Sequence, residues 1–232
     1  SVTTRMKTII NTAVFSGLSL FLALLLFTSC QQRITYPNVS EPSSDEITPG
    51  AFVWRDLITR DPIAARQFYG EVFGWTFENL GLEARRYILI RHEGKPIGGI
   101  FPMPVDAAPG STAEWINLMS VSSVKGVAEA VKAKGGKVIF PPTDLKGRGM
   151  SALVADPQGA MLGLVEGGVP DKDPPLNGWL WTELWSGTPT ASADFYQSLL
   201  NYKVEKMEGN SPDYWLFEKD NVKCAGLIQN PM

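Results

Sequence analysis

The hydrophobic and polar positions of the chain fall into regimes that predict different structures. From Ala13 to Phe27 the chain is uncharged and rich in Leu and Phe, and Arg5 and Lys7 precede this run. From Gln31 to Gly50 it turns polar, with Pro37, Pro42, Ser43, Ser44, Asp45, Glu46 and Pro49. Beyond Gly50 short apolar runs alternate with helical patterns. Phe52 to Leu57 reads as a strand. Asp61 before Pro62 forms a helix start, and Ala64, Ala65, Phe68, Tyr69 and Val72 recur at helical spacing as far as Phe73. Tyr87 to Ile90 and Ile97 to Met103 read as strands around the turn Glu93-Gly94-Lys95. The order then recurs: strand Trp115 to Val121, helix Val124 to Lys134 closed by Gly135-Gly136, strands Lys137 to Phe140 and Ser151 to Ala155, turn Asp156-Pro157-Gln158-Gly159, and strand Ala160 to Val165.

An internal repeat organises this pattern. Trp54 and Leu57 match Trp181 and Leu184, Phe68-Tyr69 match Phe195-Tyr196, Tyr87 and Leu89 match Tyr214 and Leu216, and Gly99 and Pro104 match Gly226 and Pro231. Every pair keeps one offset, 181 − 54 = 231 − 104 = 127, without a gap. The expected fold is α+β: paired βαβββ modules form a U-shaped, cavity-bearing sheet over 51–168. A linker spans 169–177, and an incomplete second copy begins at residue 178. A half-domain leaves sheet edges uncovered, so a dimer or a further C-terminal segment is expected to cover it.

Composition sets limits on function. The chain has 232 residues, 44% hydrophobic and 19% charged, enough to bury a core. A net charge of -3 without a Lys/Arg cluster supplies no footprint for nucleic acid. Cys30 and Cys224 are the only cysteines, so no disulfide framework is available. Cys224, in an apolar strand, reads as a small core residue.

The first thirty residues have the positive, apolar, small-residue order of a secretory signal. Leu26-Phe27-Thr28-Ser29-Cys30 resembles a bacterial lipobox, in which the cysteine is lipidated and becomes the mature N-terminus. Gln31 after the cysteine favours the outer membrane within that resemblance. The expectation is a lipoprotein on the periplasmic or extracellular face, anchored through Cys30, with 31–50 as a flexible tether.

Trp54-Arg55-Asp56-Leu57, the run Phe68-Tyr69-Gly70-Glu71-Val72-Phe73-Gly74-Trp75, and Asp156-Pro157-Gln158-Gly159-Ala160 resemble the vicinal-oxygen-chelate superfamily, specifically its two-domain glyoxalase-like members. The resemblance covers Gly50 to the C-terminus. In metal-dependent members four His, Glu or Gln side chains from the strands chelate a divalent ion that polarises substrate oxygens. By the same resemblance those four positions fall here on Trp54, on Trp115 (counted from Ser122), near Gly98-Gly99, and on Gly163. All four look vacated, although an atypical set of Asp56, Glu114 and Glu166 leaves a divalent metal open. His92 reads as a solvent-facing turn residue.

With the ligands gone, period-2 alternation places Trp54 and Asp56, and in the second module Trp115 and Asn117, on the cavity face, with Trp181 and Glu183 repeating the pattern. These are the candidate ligand-binding residues. The tryptophans either wall a small-molecule pocket or fill the space of a metal site. Asp56 either acts as a general acid or base, or is held by backbone or Arg hydrogen bonds. Lys146-Gly147-Arg148-Gly149 reads as a loop over the cavity mouth. The function expected is metal-free small-molecule binding; the rivals are a metal-dependent lyase or dioxygenase and an interaction protein with a filled cavity.

Overall fold

The computed structural model describes residues 34–39, 47–81, 87–103, 113–170, 176–209 and 212–230. The expected signal, Cys30 and parts of the expected tether and linker lie outside them. Among the described residues no helix is long and apolar enough to cross a membrane.

The first module runs β1 (Phe52–Thr59), α1 (Pro62–Phe73), β2 (Thr76–Leu80), β3 (Tyr87–His92) and β4 (Lys95–Pro102). The second runs β5 (Glu114–Ser120), α2 (Val124–Ala133), β6 (Lys137–Leu145), β7 (Gly149–Ala155) and β8 (Met161–Val165). Local chemistry fixes the helix ends. Asp61 Oδ1 accepts from Ala64 N at 2.9 Å, Pro62 needs no amide partner, and Gly74 closes α1 in the left-handed region at φ 70°. Ser123 caps α2 by accepting from Gly126 N at 3.1 Å.

The two modules join into one eight-stranded sheet of order β2-β3-β4-β1-β5-β8-β7-β6, with β1 antiparallel to β5 at the join. One face carries the helices. Beneath α1 it buries Leu57, Trp75, Ile88, Ile90 and Ile100. The helix-free face buries Trp54, Tyr87, Leu89, Ile116, Leu118 and Val165. The strict alternation of Tyr87 and Leu89 against Ile88 and Ile90 along β3 is the period of a strand buried on both sides.

The second copy supplies β9 (Glu183–Ser186), α3 (Pro189–Leu200), β10 (Lys203–Met207), β11 (Tyr214–Lys219) and β12 (Val222–Gln229), in a four-stranded sheet of order β10-β11-β12-β9. Its Ala193, Phe195, Tyr202, Phe217 and Leu227 share one core with Val124, Ala128 and Val131 of α2. Cys224 packs partly against that core with its Sγ donating to Val222 O at 3.3 Å.

Three expectations are corrected. The helical spacing of α1 places Phe68 and Val72 toward the core, yet they stand 57% and 53% exposed; Ala65, Tyr69 and Phe73 face the sheet instead. Strand β2, too polar to announce itself, pairs Thr76 with Arg91 and Leu80 with Tyr87. The segment read as tether packs against the domain at several of its described residues. Val39 is buried, Tyr36 N donates to Lys146 O at 2.8 Å, and Gly50 N donates to Ser120 O at 2.9 Å. Ile34, Tyr36 and Val39 contribute apolar surface from an otherwise polar stretch, and the helix-free face offers them a place to bury it.

Candidate functional site

The helix-free face carries a closed polar network at its centre. Trp54 and Asp56 reach it from β1, Tyr87 from β3, and Arg148 from the β6–β7 turn. The Tyr87 hydroxyl donates to Asp56 Oδ1 at 2.6 Å, and the Trp54 indole N–H contacts both Asp56 Oδ1 at 3.0 Å and the Tyr87 oxygen at 3.1 Å. Arg148 Nη1 donates to Asp56 Oδ2 at 2.6 Å and Nη2 to the Tyr87 oxygen at 2.7 Å. The side chains of the ion pair are 2% and 5% exposed, so no water screens it. Around the guanidinium stand the rings of Tyr36, Trp54, Tyr87 and Phe101, with centroids 5.2 to 6.0 Å from its carbon. Burial and the Asp56 carboxylate push the Tyr87 hydroxyl well above its ordinary range, net of an opposing pull from Arg148. Burial alone would lower Arg148, but Asp56 and Tyr87 hold it above the usual guanidinium value. Arg148 Nε has no hydrogen-bond partner among the described residues.

Backbone geometry makes room for this network. A Cβ on Gly99 would lie 1.8 Å from the Tyr87 oxygen, so β4 has glycine where the tyrosine tip rests. Gly147, at φ 93°, lets the turn that aims Arg148 pass against the Tyr36 carbonyl, 2.3 Å from where a Cβ would stand. The segment read as a loop over the mouth therefore delivers a buried anchor.

The predicted positions separate into two faces. Antiparallel register pairs Trp54 with Leu118 and Asp56 with Ile116, while Arg55 pairs with Asn117 and Leu57 with Trp115. Cross-strand partners share a face, so Trp115 and Asn117 lie on the helix-bearing side and not beside Trp54. The Trp115 indole donates to the Tyr69 hydroxyl at 2.8 Å within a cluster of Tyr69, Trp75 and Trp179. The helix cap explains the correction: Ser123, not Ser122, is the N-cap, and 123 − 7 = 116 gives Ile116 as the equivalent of Trp54. Arg55, also on the helix-bearing face, stacks over Trp179 at 5.5 Å and donates to Thr182 Oγ1 at 3.1 Å, and burial lowers its pKa to about 10.

The four strand positions implied for a metal are then Trp54, Gly99, Ile116 and Gly163, all on the helix-free face. None carries an oxygen, nitrogen or sulfur donor suited to a divalent ion, and a Cβ on Gly163 would meet Leu118 Cγ at 2.8 Å. These residues do not fit a resident metal. The atypical set does not converge either. Asp56 is occupied by Arg148 and Tyr87, Glu114 is an exposed residue whose carboxyl burial pushes up somewhat, and Glu166 Oε1 caps α2 by accepting from Val124 N at 2.8 Å. Among the described residues no group of three or more His, Cys, Asp or Glu is placed to hold an ion. His92, expected in solvent, is buried at 7% exposure with Nε2 2.7 Å from Leu176 O.

The second copy holds the same arrangement in the open. The Trp181 indole donates to the Tyr214 oxygen at 3.0 Å, the Tyr214 hydroxyl donates to Glu183 Oε1 at 2.7 Å, and Gly226 lies under the tyrosine tip. Trp181 is 41% exposed, and Glu183 is exposed.

Sequence reading missed Tyr87, Arg148 and Tyr36. The signal for Tyr87 was present: Tyr87/Tyr214 and Gly99/Gly226 are retained together at the 127-residue offset because each tyrosine needs its glycine.

A sheet of two βαβββ modules joined through antiparallel β1 and β5, with a polar centre on its helix-free face, defines the class of protein. Residues 51–164 match the model of the Glyoxalase/Bleomycin resistance protein/Dioxygenase superfamily, and the fold of that stretch is of that superfamily's type. CFP32 of Mycobacterium tuberculosis, which bears a glyoxylase name, is 27% identical over 197 residues, covering 82% of this chain and 76% of its own. The anthracycline biosynthesis protein DnrV of Streptomyces peucetius is 30% identical over 169 residues, covering 66% of this chain and 61% of its own. Among solved structures, the Mn(II)-bound glyoxalase from Novosphingobium aromaticivorans superposes with TM-score 0.56 at 15% identity, covering 80% of this chain and 64% of that one. The 2,2',3-trihydroxybiphenyl 1,2-dioxygenase of Sphingomonas wittichii superposes with TM-score 0.53 at 12% identity, covering 78% of this chain and 68% of that one. At such identities these likenesses show the fold alone.

Proposed function

We propose that this chain is a metal-independent binding protein of the glyoxalase-like type, held at the outer membrane through a lipid on Cys30. One observation carries the first half. The strand positions that would hold a metal are Trp54, Gly99, Ile116 and Gly163, and the adjacent carboxylate of Asp56 is neutralised by the chain's own Arg148 at 2.6 Å. A carboxylate bound by a guanidinium and a phenol is neither a Lewis base for an ion nor a free proton acceptor. The Trp–carboxylate–Tyr arrangement it belongs to is instead a recognition element: two π-faces and one anion, suited to a cationic or polar group. The lipobox-like run ending at Cys30 and the polar stretch after it support the anchoring.

Elemental analysis of the chain from Gln31 onward, expressed with Zn, Mn, Fe, Ni and Co supplied, tests the metal half. Less than a tenth of an equivalent is expected; one retained equivalent would overturn the reading. Cys30→Ser in the full chain tests the other half: the protein is expected to leave the membrane fraction, and unchanged fractionation would remove the anchor. The packing of Tyr36 and Val39 over the helix-free face favours a second reading, in which that face is permanently closed and all binding occurs elsewhere on the chain.

A further inference from the structure

Residues 34–39 cross the helix-free face without belonging to a strand or a helix. Two glycines shape their seat. A Cβ on Gly147 would lie 2.3 Å from Tyr36 O, and one on Gly168 would lie 2.8 Å from Val39 Cγ2. The stretch at 47–50 is bound differently. Ile47 bridges to Gly168, Thr48 N donates to Ser120 Oγ at 3.2 Å, and Gly50 N donates to Ser120 O at 2.9 Å. The chain is pinned there along the sheet, whereas 34–39 lie over it on the side chains of Ile34, Tyr36 and Val39.

The Tyr36 ring occupies a seat that other rings build. It meets Tyr87 edge-on with centroids 5.5 Å apart, lies 5.7 Å from Phe101, and has the Arg148 guanidinium 5.6 Å from its centre. Tyr87 belongs to β3, Phe101 to β4 and Arg148 to the β6–β7 turn, and Asp56 fixes both Tyr87 and Arg148. The seat therefore stays formed when residues 34–39 leave it. The closed face also leaves one donor unanswered. Arg148 Nη1 and Nη2 are taken by Asp56 and Tyr87, but Nε, on a side chain 2% exposed, has no partner among the described residues. A buried N–H without an acceptor is a standing cost of the closed arrangement.

We propose that residues 34–39 are a displaceable strap and that the seat of Tyr36 is a binding site for an uncharged aromatic carbonyl compound. This deepens the binding reading above and rests on it in taking the helix-free face as the recognition surface. The aromatic part follows from the seat, two rings and a guanidinium around a ring that is the chain's own. The acceptor follows from Arg148 Nε, which an incoming carbonyl oxygen would satisfy. The lack of charge follows from the balance already struck between Arg148 and Asp56. A carboxylate would enter a buried space without a counter-charge of its own, and an ammonium would meet the guanidinium. Ligand and strap exclude one another from the same seat, so binding draws the chain toward its open arrangement.

Hydrogen–deuterium exchange of the full chain, with and without 4-fluoroacetophenone, tests this, while the fluorine resonance of the ligand reports its binding. A dissociation constant on the order of millimolar is expected for so small a molecule. The Tyr36 amide donates to Lys146 O at 2.8 Å in the closed arrangement, and at saturation it is expected to exchange at least about fivefold faster. The amides of β3 are expected to keep their protection. Tyr36→Ala, which removes the competing ring, is expected to tighten binding at least about threefold. Val39→Ala loosens the strap without touching the ring seat and is expected to act in the same direction, so the test does not depend on one variant folding. 4-Fluorobenzoate is expected to bind at least about tenfold more weakly. A ketone that does not bind, or that binds no better than the benzoate, would overturn the inference. Binding that leaves the Tyr36 amide equally or more protected would overturn it too and would favour the permanently closed face. Either failure in a chain shown to be metal-free removes this inference alone, whereas a stoichiometric metal removes the reading beneath it.

Discussion

The Tyr87 hydroxyl rests over Gly99, 1.8 Å from where a Cβ on that glycine would stand, and from there it donates to Asp56 at 2.6 Å. The tyrosine is fully buried, so a methyl group at residue 99 cannot be met by a shift toward solvent. Gly99→Ala is therefore expected to displace the ring, break its bond to Asp56 and destabilise the chain by about 2–4 kcal/mol, combining overpacking with a lost buried hydrogen bond. Urea unfolding measures this. In the exposed second copy Gly226→Ala, with Tyr214 free to swing outward, is expected to cost less than half as much; equal costs would show that burial is not what makes Gly99 necessary.

Asp56 and Arg148 form a buried pair in which each charge is tolerable only because of the other. Asp56→Leu or Arg148→Met alone is expected to cost about 3–5 kcal/mol, because each strands a buried charge. The double variant Asp56→Leu/Arg148→Met, which removes both, is expected to recover most of that loss. Additive costs in this double-mutant cycle would contradict the coupling drawn from the 2.6 Å contact.

Alkaline pH reports on buried phenols. Burial, followed by neighbouring anions, raises Tyr87, Tyr196 and Tyr202 above the ordinary value of 10.0. A folded-state pKa above the unfolded one means that the folded chain holds more protons at high pH. The stability these groups contribute is present below pH 10 and falls as pH rises beyond it. Absorbance of tyrosinate at 295 nm is expected to show these three of the six tyrosines ionising only together with loss of structure, above pH 10. Smooth titration of all six in a still-folded chain would refute this.

Tyr36 closes the helix-free face, with ring centroids 5.5 Å from Tyr87 and 5.7 Å from Phe101. Tyr36→Ala is expected to destabilise by about 1–3 kcal/mol, below the cost of truncating a fully buried aromatic because the ring is only half-buried. A chain beginning at Ser44, which loses Tyr36 and Val39 together, is expected to melt below one beginning at Gln31. Identical melting temperatures would restore the reading of this stretch as a tether.

What the sequence determined was periodic or local. The alternation along β3, the Asp61-Pro62 helix start, the turn at 156–159 and the offset of 127 are each written in neighbouring residues or in simple self-similarity, and from them follow the modules, their order and the superfamily fold. The absence of metal-ligand side chains at Trp54, Gly99 and Gly163 could be read in the same way. Tertiary structure decided the contents of the site. Arg148 lies 92 residues from Asp56 in sequence, and no local pattern says that a turn between two glycines aims inward. A one-residue error in the cap, Ser122 for Ser123, moved Trp115 and Asn117 to the wrong face, since a strand's period of two turns every slip of one into a change of side. Tyr36 and Val39 sit in a stretch whose prolines and charges speak for solvent, and only the apolar surface of the helix-free face gave them a reason to fold down. In the second copy the same local residues, Trp181, Glu183 and Tyr214, stand exposed, because burial is a property of what packs above a site and not of the residues that compose it.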